Sequence, residues 1–449
     1  MSQNEKEHNA LEIVKRLKEA GFTAYWVGGC VRDLLLNRKP YDYDIATNAV
    51  PEKVEELFEK TIPVGKQFGV LIVVIGEDSF QVATFRSESE YKDGRHPEAV
   101  IFGDPVNDAM RRDFTINGLF YDPINKEVID YVGGQKDLEA RIVRAIGNPE
   151  ERFNEDYLRM LRAVRFAAQL DFQIESSTFS AIQKNAHKIK LISAERIRDE
   201  LLKLFTPPYA ARGLELLKDS GLLVQILPEI ADMIGCEQSP VYHPEGCVYT
   251  HTKRLLEHLP NDANRILVWS ALLHDVGKPA VVKYSKGEDK MHFYEHDLEG
   301  AEIAERILQR LKFPSNEIEQ IVTCVRYHMQ LKDAQKMKIS TLRRMMARPT
   351  FNIELELHRL DCLSSHGKLD IYEFLKDKMQ NNTEISQLPK PLVNGEDLKK
   401  MGFVEGIELG KALNEIREKQ LSDELTTREQ ALEYARKLLT NKSTNQSSV

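Results

Sequence analysis

Cysteine is scarce in this chain, and no stretch of it has the character of a membrane span. Five cysteines (Cys30, Cys236, Cys247, Cys324, Cys362) are scattered through 449 residues, odd in number and without a CxxC pair. That pattern excludes a disulfide framework and a zinc knuckle, so the thiols read as reduced. The longest apolar run, Val70 to Ile75, is strand-sized, far short of the roughly 20 apolar residues a spanning helix needs. Ser2 to Asn9 is polar, with no basic stretch leading into an apolar one, so neither a signal peptide nor a transit peptide is expected and the cytoplasm is the expected compartment. A basic surplus is missing too: 62 Lys and Arg stand against 70 Asp and Glu, a net charge of -8. A nucleic-acid partner would have to be met by a local basic surface rather than by the field of the whole molecule.

What is present is length and pattern. A chain of 449 residues exceeds one ordinary core and implies about two to four compact parts. Leu11, Val14 and Leu17 recur at helical spacing and predict a helix over 10–20, closed by Gly21. Between Tyr25 and Asp130 short β-branched and aromatic runs (24–27, 69–75, 79–85, 118–121, 128–131) alternate with helical patterns, which predicts a small mixed sheet with flanking helices. Beyond Gly147 the segments 151–170, 177–189 and 194–205 all have apolar residues three to four apart. The expected architecture is α+β and multidomain: a small mixed-sheet head (1–147), then a mostly helical neck (148–234), a further helical domain (235–368) and a helical tail (369–449). Pro207-Pro208, 228–244 and 387–391 are the expected joints, and the Ser-, Asn- and Gln-rich end from Asn441 is expected to be disordered.

Chemistry concentrates first in the head. Tyr25 to Asp33 reads as a strand, a tight turn at Gly28-Gly29 and a helix start. Such a turn lets phosphate approach the backbone, and Arg32 adds a guanidinium fork, although a plain structural turn explains the glycines as well. Asp42-Tyr43-Asp44 places two carboxylates two residues apart, on one face if the segment is a strand, roughly 6–7 Å apart at Cα. Two such carboxylates can hold divalent ions, or merely end a solvated strand. Arg111 to Asn117 reads equally as a cluster of cations, acid and amide or as a helix start. Asp156 and Arg159 fall on one face of a helix expected to run through 151–170, where Glu155 can hold the Arg159 guanidinium.

Taken in order, Gly28-Gly29 with Arg32-Asp33, Asp42-Tyr43-Asp44, Arg111-Arg112-Asp113 with Asn117, Asp130 with Gly133-Gly134, and Glu155-Asp156-Tyr157-Leu158-Arg159 resemble the motifs of class II tRNA nucleotidyltransferases and bacterial poly(A) polymerases over the first half of the chain. The resemblance implies catalytic Mg²⁺ ligands at Asp42 and Asp44. It places Gly28, Gly29, Arg32, Arg112, Asp113 and Asn117 at the sugar and phosphates, and Asp156 with Arg159 as base reader. An acceptor carboxylate beside a donor guanidinium matches C and A, which present an amino group where U and G present a carbonyl. The implied activity is template-independent addition of C, C and A to the 3' end of tRNA from CTP and ATP, with A-only addition or poly(A) synthesis as alternatives. The segment 86–111, around Glu88 to Pro97, resembles the loop that A-adding members use to switch from C to A. One departure stands at Gln81, where the family usually carries Glu.

In the second half, His251, His274-Asp275, His296, His328 and Asp361 form a spaced series of metal-ligand types. The ordered set resembles HD-domain phosphohydrolases, which places the HD domain at 235–368. It implies a divalent ion on His251, His274, Asp275 and Asp361, and a second one with His296 and His328. Imidazole and carboxylate ligands leave the metal's identity open. The implied chemistry is phosphatase or 2',3'-cyclic phosphodiesterase action on RNA ends, with Lys278 assisting phosphate binding. An inactive scaffold, or a hydrolase with a head that only binds nucleotide, is the competing reading. Oligomeric state is not readable from the sequence.

Overall fold

The structure of the protein is a computed structural model that describes residues 3–87, 101–239, 243–284, 291–381 and 388–446. The chain forms two compact units, Met1–Ala231 and Asp232–Val449.

The first unit opens with a helix over Gln3–Glu19, longer at its start than its apolar stripe predicts. Its strands are β1 (Ala24–Val27), β2 (Asp44–Thr47), β3 (Thr61–Gly65), β4 (Val70–Ile75) and β5 (Asp78–Thr84), then the short pair β6 (Arg86–Ser87) and β7 (Ile101–Phe102), then β8 (Leu119–Asp122) and β9 (Glu127–Asp130). Seven of them make one mixed sheet in the order β3-β4-β5-β2-β1-β8-β9, where β2 and β5 run parallel and the other neighbours antiparallel. Among the described residues strands β6 and β7 pair with each other alone. Val27, Ala46, Phe85, Ala109 and Phe120 pack as a core against the sheet, with Phe85 and Phe120 edge to face.

Helices follow, as the pattern predicts, but not as the unbroken run expected over 151–170. One helix spans Pro149–Glu155 and the next Leu158–Leu170, because Asp156 adopts an extended conformation (φ −155°) and accepts the Leu158 N–H at 3.1 Å. A side chain that caps its own backbone two residues on competes with the helix, a local effect that apolar spacing does not register. Ten residues of Leu158–Leu170 are buried. Burial of each large apolar chain there contributes roughly 1.5–3 kcal/mol, so packing rather than the Glu155–Arg159 pair, worth about 0.5 kcal/mol, holds this helix. Arg111 to Asn117 is also not a helix start. The helix Pro105–Met110 ends there and Thr115–Asn117 is a single 3₁₀ turn. Pro207-Pro208 lies in the turn between helices Ala194–Leu204 and Ala210–Asp219, inside the first unit rather than at a joint.

Among its described residues the second unit is helical apart from the antiparallel pair Lys283–Tyr284 and Met291–His292. Its helices Val248–Glu257, Arg265–Leu273, His296–Arg310, Ser315–Tyr327 and Phe351–Ser364 surround a core that contains Trp269, Leu272, Ile307 and Val325. Gly277 is required at a close crossing, since a Cβ there would stand 2.3 Å from the His296 carbonyl and 2.5 Å from the Gly300 amide. A separate cluster around Leu398, Ile416 and Ala431 builds the tail. Its last helix is Arg428–Gln446. Among the described residues no helix is long and apolar enough to cross a membrane.

Candidate functional site

Strand pairing assembles the first site. In the antiparallel register of β1 and β2, Val27 faces Asp44, so Asp44 lies beside the Gly28-Gly29 turn. On the other flank β1 pairs with β8, and the Gly28 N–H donates to the Leu119 carbonyl at 3.1 Å, which draws in Asn117. Gly28 has φ +74°, and a Cβ on it would lie 3.1 Å from an Arg112 nitrogen. The tight turn is therefore a condition for this assembly, because the left-handed region and the close approach both favour glycine.

These residues line a cavity of about 360 Å³ together with Arg112, Asp113, Asp156, Arg159, Leu158, Arg162 and Arg196. Eight of the ten residues singled out in the head and neck are brought together: Gly28, Gly29, Asp44, Arg112, Asp113, Asn117, Asp156 and Arg159. Arg32 stands behind them, its guanidinium donating to Asn117 Oδ1 at 2.8 Å and to Asp33 at 2.9 Å. Asp42 departs from the expected same-face pair in one strand. Strand β2 begins only at Asp44, and Asp42 precedes it, exposed, with Lys6 Nζ at 2.6 Å. Tyr43 between them is buried against Trp26. By the alternation of side chains, Gln81 of β5 falls on the Asp44 and Ala46 side of the sheet, because Ala46 is in register with Ala83. Asp130 has a structural part, accepting the N–H groups of Val132, Gly134 and Gln135 at 2.9–3.0 Å.

Electrostatics separates the acids. Burial pushes the Asp44 carboxyl up, with Arg112 opposing and Asp42 adding to the rise. Among the described residues no donor reaches this carboxylate, so it is a hard oxygen donor in need of a cation, which fits a divalent ion. Asp113 differs: burial works against its charge, yet Arg162 at 2.6 Å and Asn117 at 3.1 Å hold its carboxyl below the usual range. Arg112 is aimed by the buried Asp108, 2.9 Å away. Arg159 is held by Glu155 and by the Arg152 carbonyl at 3.1 Å, and Arg196 donates to Asp156 at 2.6 Å. Asp108, Arg162 and Arg196 escape a sequence reading. Arg162 falls one turn after Arg159 and is visible in principle, whereas Arg196 arrives from a helix forty residues on.

The second unit gathers all six of its expected ligands. His251, His274 and Asp361 form one group and Asp275, His296 and His328 another, with the ligand atoms of each within 4.8 Å of one another. Asp275 lies between the groups, Oδ2 at 3.2 Å from His274 Nε2 and Oδ1 at 3.5 Å and 3.7 Å from the Nε2 atoms of His296 and His328. In all four imidazoles Nδ1 meets an acceptor: Ala271, Phe293 and Val325 carbonyls at 2.9, 2.7 and 2.6 Å for His274, His296 and His328, and Glu245 at 2.6 Å for His251. For the three that meet carbonyls, a proton on Nδ1 turns the Nε2 lone pair inward, whereas His251, although burial opposes its charge, is raised to about 9 by Asp361 and Glu245. Nε2 of His251 and of His274 are buried and face acids, 3.0 Å from Asp361 and 3.2 Å from Asp275, a donor set that fits a divalent ion. Burial, reinforced by His274 and His296, brings His328 down to about 3, so its imidazole is neutral. Burial opposes the charge of Asp275, yet His274 and Lys278 hold it well below the carboxylate range. Lys278, expected to meet phosphate, is buried and donates to Asp275 and to Gln238, each at 2.6 Å.

Glu245, six residues before His251, was not singled out by the sequence and orients both His251 and His243, the latter at 2.9 Å. Glu245→Gln is expected to weaken divalent binding to this unit by about 10–100-fold, as read by isothermal titration with Mn²⁺. The cluster opens on a cavity of about 470 Å³ that Phe293, Tyr294, Lys332 and His358 also line.

Comparison with known proteins agrees with this layout. Residues 24–144 match the Poly A polymerase head domain, 171–234 the probable RNA and SrmB-binding site of polymerase A, and 242–361 the HD domain. The CCA-adding enzyme of Lactobacillus helveticus (strain DPC 4571) is 43% identical over a stretch covering 53% of this chain and 58% of that protein, so the matched stretch spans little more than half of that relative. That of Ligilactobacillus salivarius (strain UCC118) is 34% identical over 96% of this chain and 97% of its own. The crystal structure of the Bacillus stearothermophilus CCA-adding enzyme in complex with CTP superposes with a TM-score of 0.75 at 27% identity, covering 100% of both chains. With a relative matched from end to end and a fold shared throughout, the chain belongs to the CCA-adding enzyme family of tRNA nucleotidyltransferases.

Proposed function

We propose that the first unit adds CMP, CMP and AMP to the 3' end of tRNA from CTP and ATP without a template. The observation that carries this is the single cavity with Asp44 at one side and Asp156 with Arg159 at the other. A nucleoside triphosphate laid across it puts its base against the carboxylate and guanidinium and its phosphates towards Asp44. Asp156 accepts from the amino group of C or A, while Arg159, held by Glu155, donates to the ring nitrogen beside it. Arg112 and Arg162 lie between the two ends and offset phosphate charge, each held in place by a buried acid. Mg²⁺ bound by Asp42 and Asp44 supplies activation of the attacking 3'-hydroxyl and neutralisation of the departing pyrophosphate. Gln81, on the same sheet face as Asp44, would offer that ion an amide and no third charge. Lys6, which pairs with Asp42 at 2.6 Å, would release it to such an ion. Of the expected C-to-A switching segment 86–111, residues 88–100, which include Glu88 to Pro97, lie outside the described residues. A cytoplasmic setting is proposed with this activity, and the five free cysteines suit its reducing conditions.

The second unit is proposed to hydrolyse phosphate esters at RNA ends. A divalent ion there would lower the pKa of water and polarise the ester. Its ligands are His251, His274, Asp275 and Asp361, with His296 and His328 for a second ion, and Lys278 balances the charge of Asp275.

Incubation of the protein with Mg²⁺, CTP and ATP on tRNA ending at the discriminator base, at C and at CC tests the first reading. Growth by three, two and one nucleotides is expected. Growth of the CC-ended tRNA alone would mean an A-adding specialist, long A tracts a poly(A) polymerase, and no growth would end the proposal.

A further inference from the structure

Resting on the reading of the first unit as nucleotide-adding, the surroundings of Asp156 carry one step more. Its carboxylate is seated from two sides: the Leu158 N–H donates to Oδ1 at 3.1 Å and Arg196 Nη2 to Oδ2 at 2.6 Å. Arg196 belongs to the helix Ala194–Leu204, one turn before the buried Glu200. Glu200 accepts from Arg165 Nε at 2.6 Å and lies 3.7 Å from Arg162, which in turn donates to Asp113. One helical face thus holds the acid of the base reader through Arg196 and the arginines of the cavity through Glu200.

We propose that Arg196 is a positioning residue that determines base specificity: it fixes the rotation of the Asp156 carboxylate so that C and A are accepted and U and G are opposed. A carboxylate has about four lone-pair sites. With one site on each oxygen taken, the carboxylate plane is set and the remaining Oδ2 lone pair has one direction. An amino group on the base completes it. A carbonyl on U or G brings lone pair against lone pair, and because the carboxylate cannot swing aside the repulsion is not relieved. The Arg196 and Asp156 side chains are only 25% and 20% exposed, so water does little to soften that mismatch. Freed from Arg196, the carboxylate turns about its Cβ–Cγ bond and tolerates the wrong edge.

The test is the ratio of kcat/KM for CTP to that for UTP on tRNA ending at the discriminator base, and of ATP to GTP on tRNA ending in CC. Arg196→Ala is expected to lower both ratios by about tenfold or more. Arg196→Lys, which keeps one donor, is expected to retain most of the discrimination. Glu200→Gln loosens the same helix without touching Asp156 and is expected to lower all rates together with unchanged ratios. Ratios within about twofold of wild type in Arg196→Ala, or an equal loss of discrimination in Glu200→Gln, overturn the proposal while leaving nucleotide addition standing. A wild-type protein that adds neither CMP nor AMP removes the reading on which it rests.

Discussion

Asp44→Asn is expected to cut CMP and AMP incorporation by ~10³-fold or more, while the protein keeps its fold and binds CTP within a few-fold of wild type. Asn has the shape of Asp, so strand β2 and its pairing with Val27 are undisturbed. What disappears is charge at a place where burial already works against it and no described donor reaches it. Removing such a charge does not destabilise the unit, and thermal unfolding should show a midpoint unchanged or slightly raised. The catalytic loss is large because an amide cannot hold a divalent ion against two phosphate-bearing substrates. Single-turnover rapid quench on tRNA ending in CC measures the step, and incorporation above about a tenth of wild type would mean that the cation is held elsewhere.

The second large effect concerns the other unit. Asp275→Asn is expected to remove bound divalent metal from both ligand groups and to lower hydrolysis of a 2',3'-cyclic phosphate by about 10²-fold or more. Asp275 is the one acid with an oxygen toward each group. Its replacement also strands Lys278, whose buried ammonium would lose its carboxylate partner. Metal content after gel filtration reads the first effect and phosphate-ester hydrolysis the second, and CMP and AMP addition on tRNA should stay at the wild-type level. Metal retained at full stoichiometry in Asp275→Asn would show that the two trios do not share this residue.

The chain made its chemistry legible unevenly. Gly28-Gly29 was readable because a turn between a strand and a helix needs little more than local conformational preference. The histidines and acids of the second unit were readable as an ordered series, and each reaches the cluster from a helix or helix end whose apolar spacing is plain. Asp156 was placed in the right company but in the wrong local structure. Its own side chain breaks the helix by capping Leu158, and a hydrogen bond of that kind has no hydrophobic period. Asp42 was expected to share a strand face with Asp44, whereas the strand starts only at Asp44 and Lys6, from the first helix, takes the Asp42 carboxylate. Glu245, Arg162 and Arg196 were not singled out. Charged residues at such spacings are common, and only their partners set them apart.

By itself the sequence determined the class of fold, the family and most of the residues that the two clusters bring together, because residue type, order and apolar period are local properties of a chain. The tertiary structure alone decided which of those residues face one cavity. It turned Arg32 behind Asn117, set Asp44 rather than Asp42 on the cavity wall, and brought Arg196 to Asp156 across 40 positions of sequence. Contacts of that range are fixed by strand register and helix packing, which depend on the whole core at once and leave no mark in any short stretch of residues.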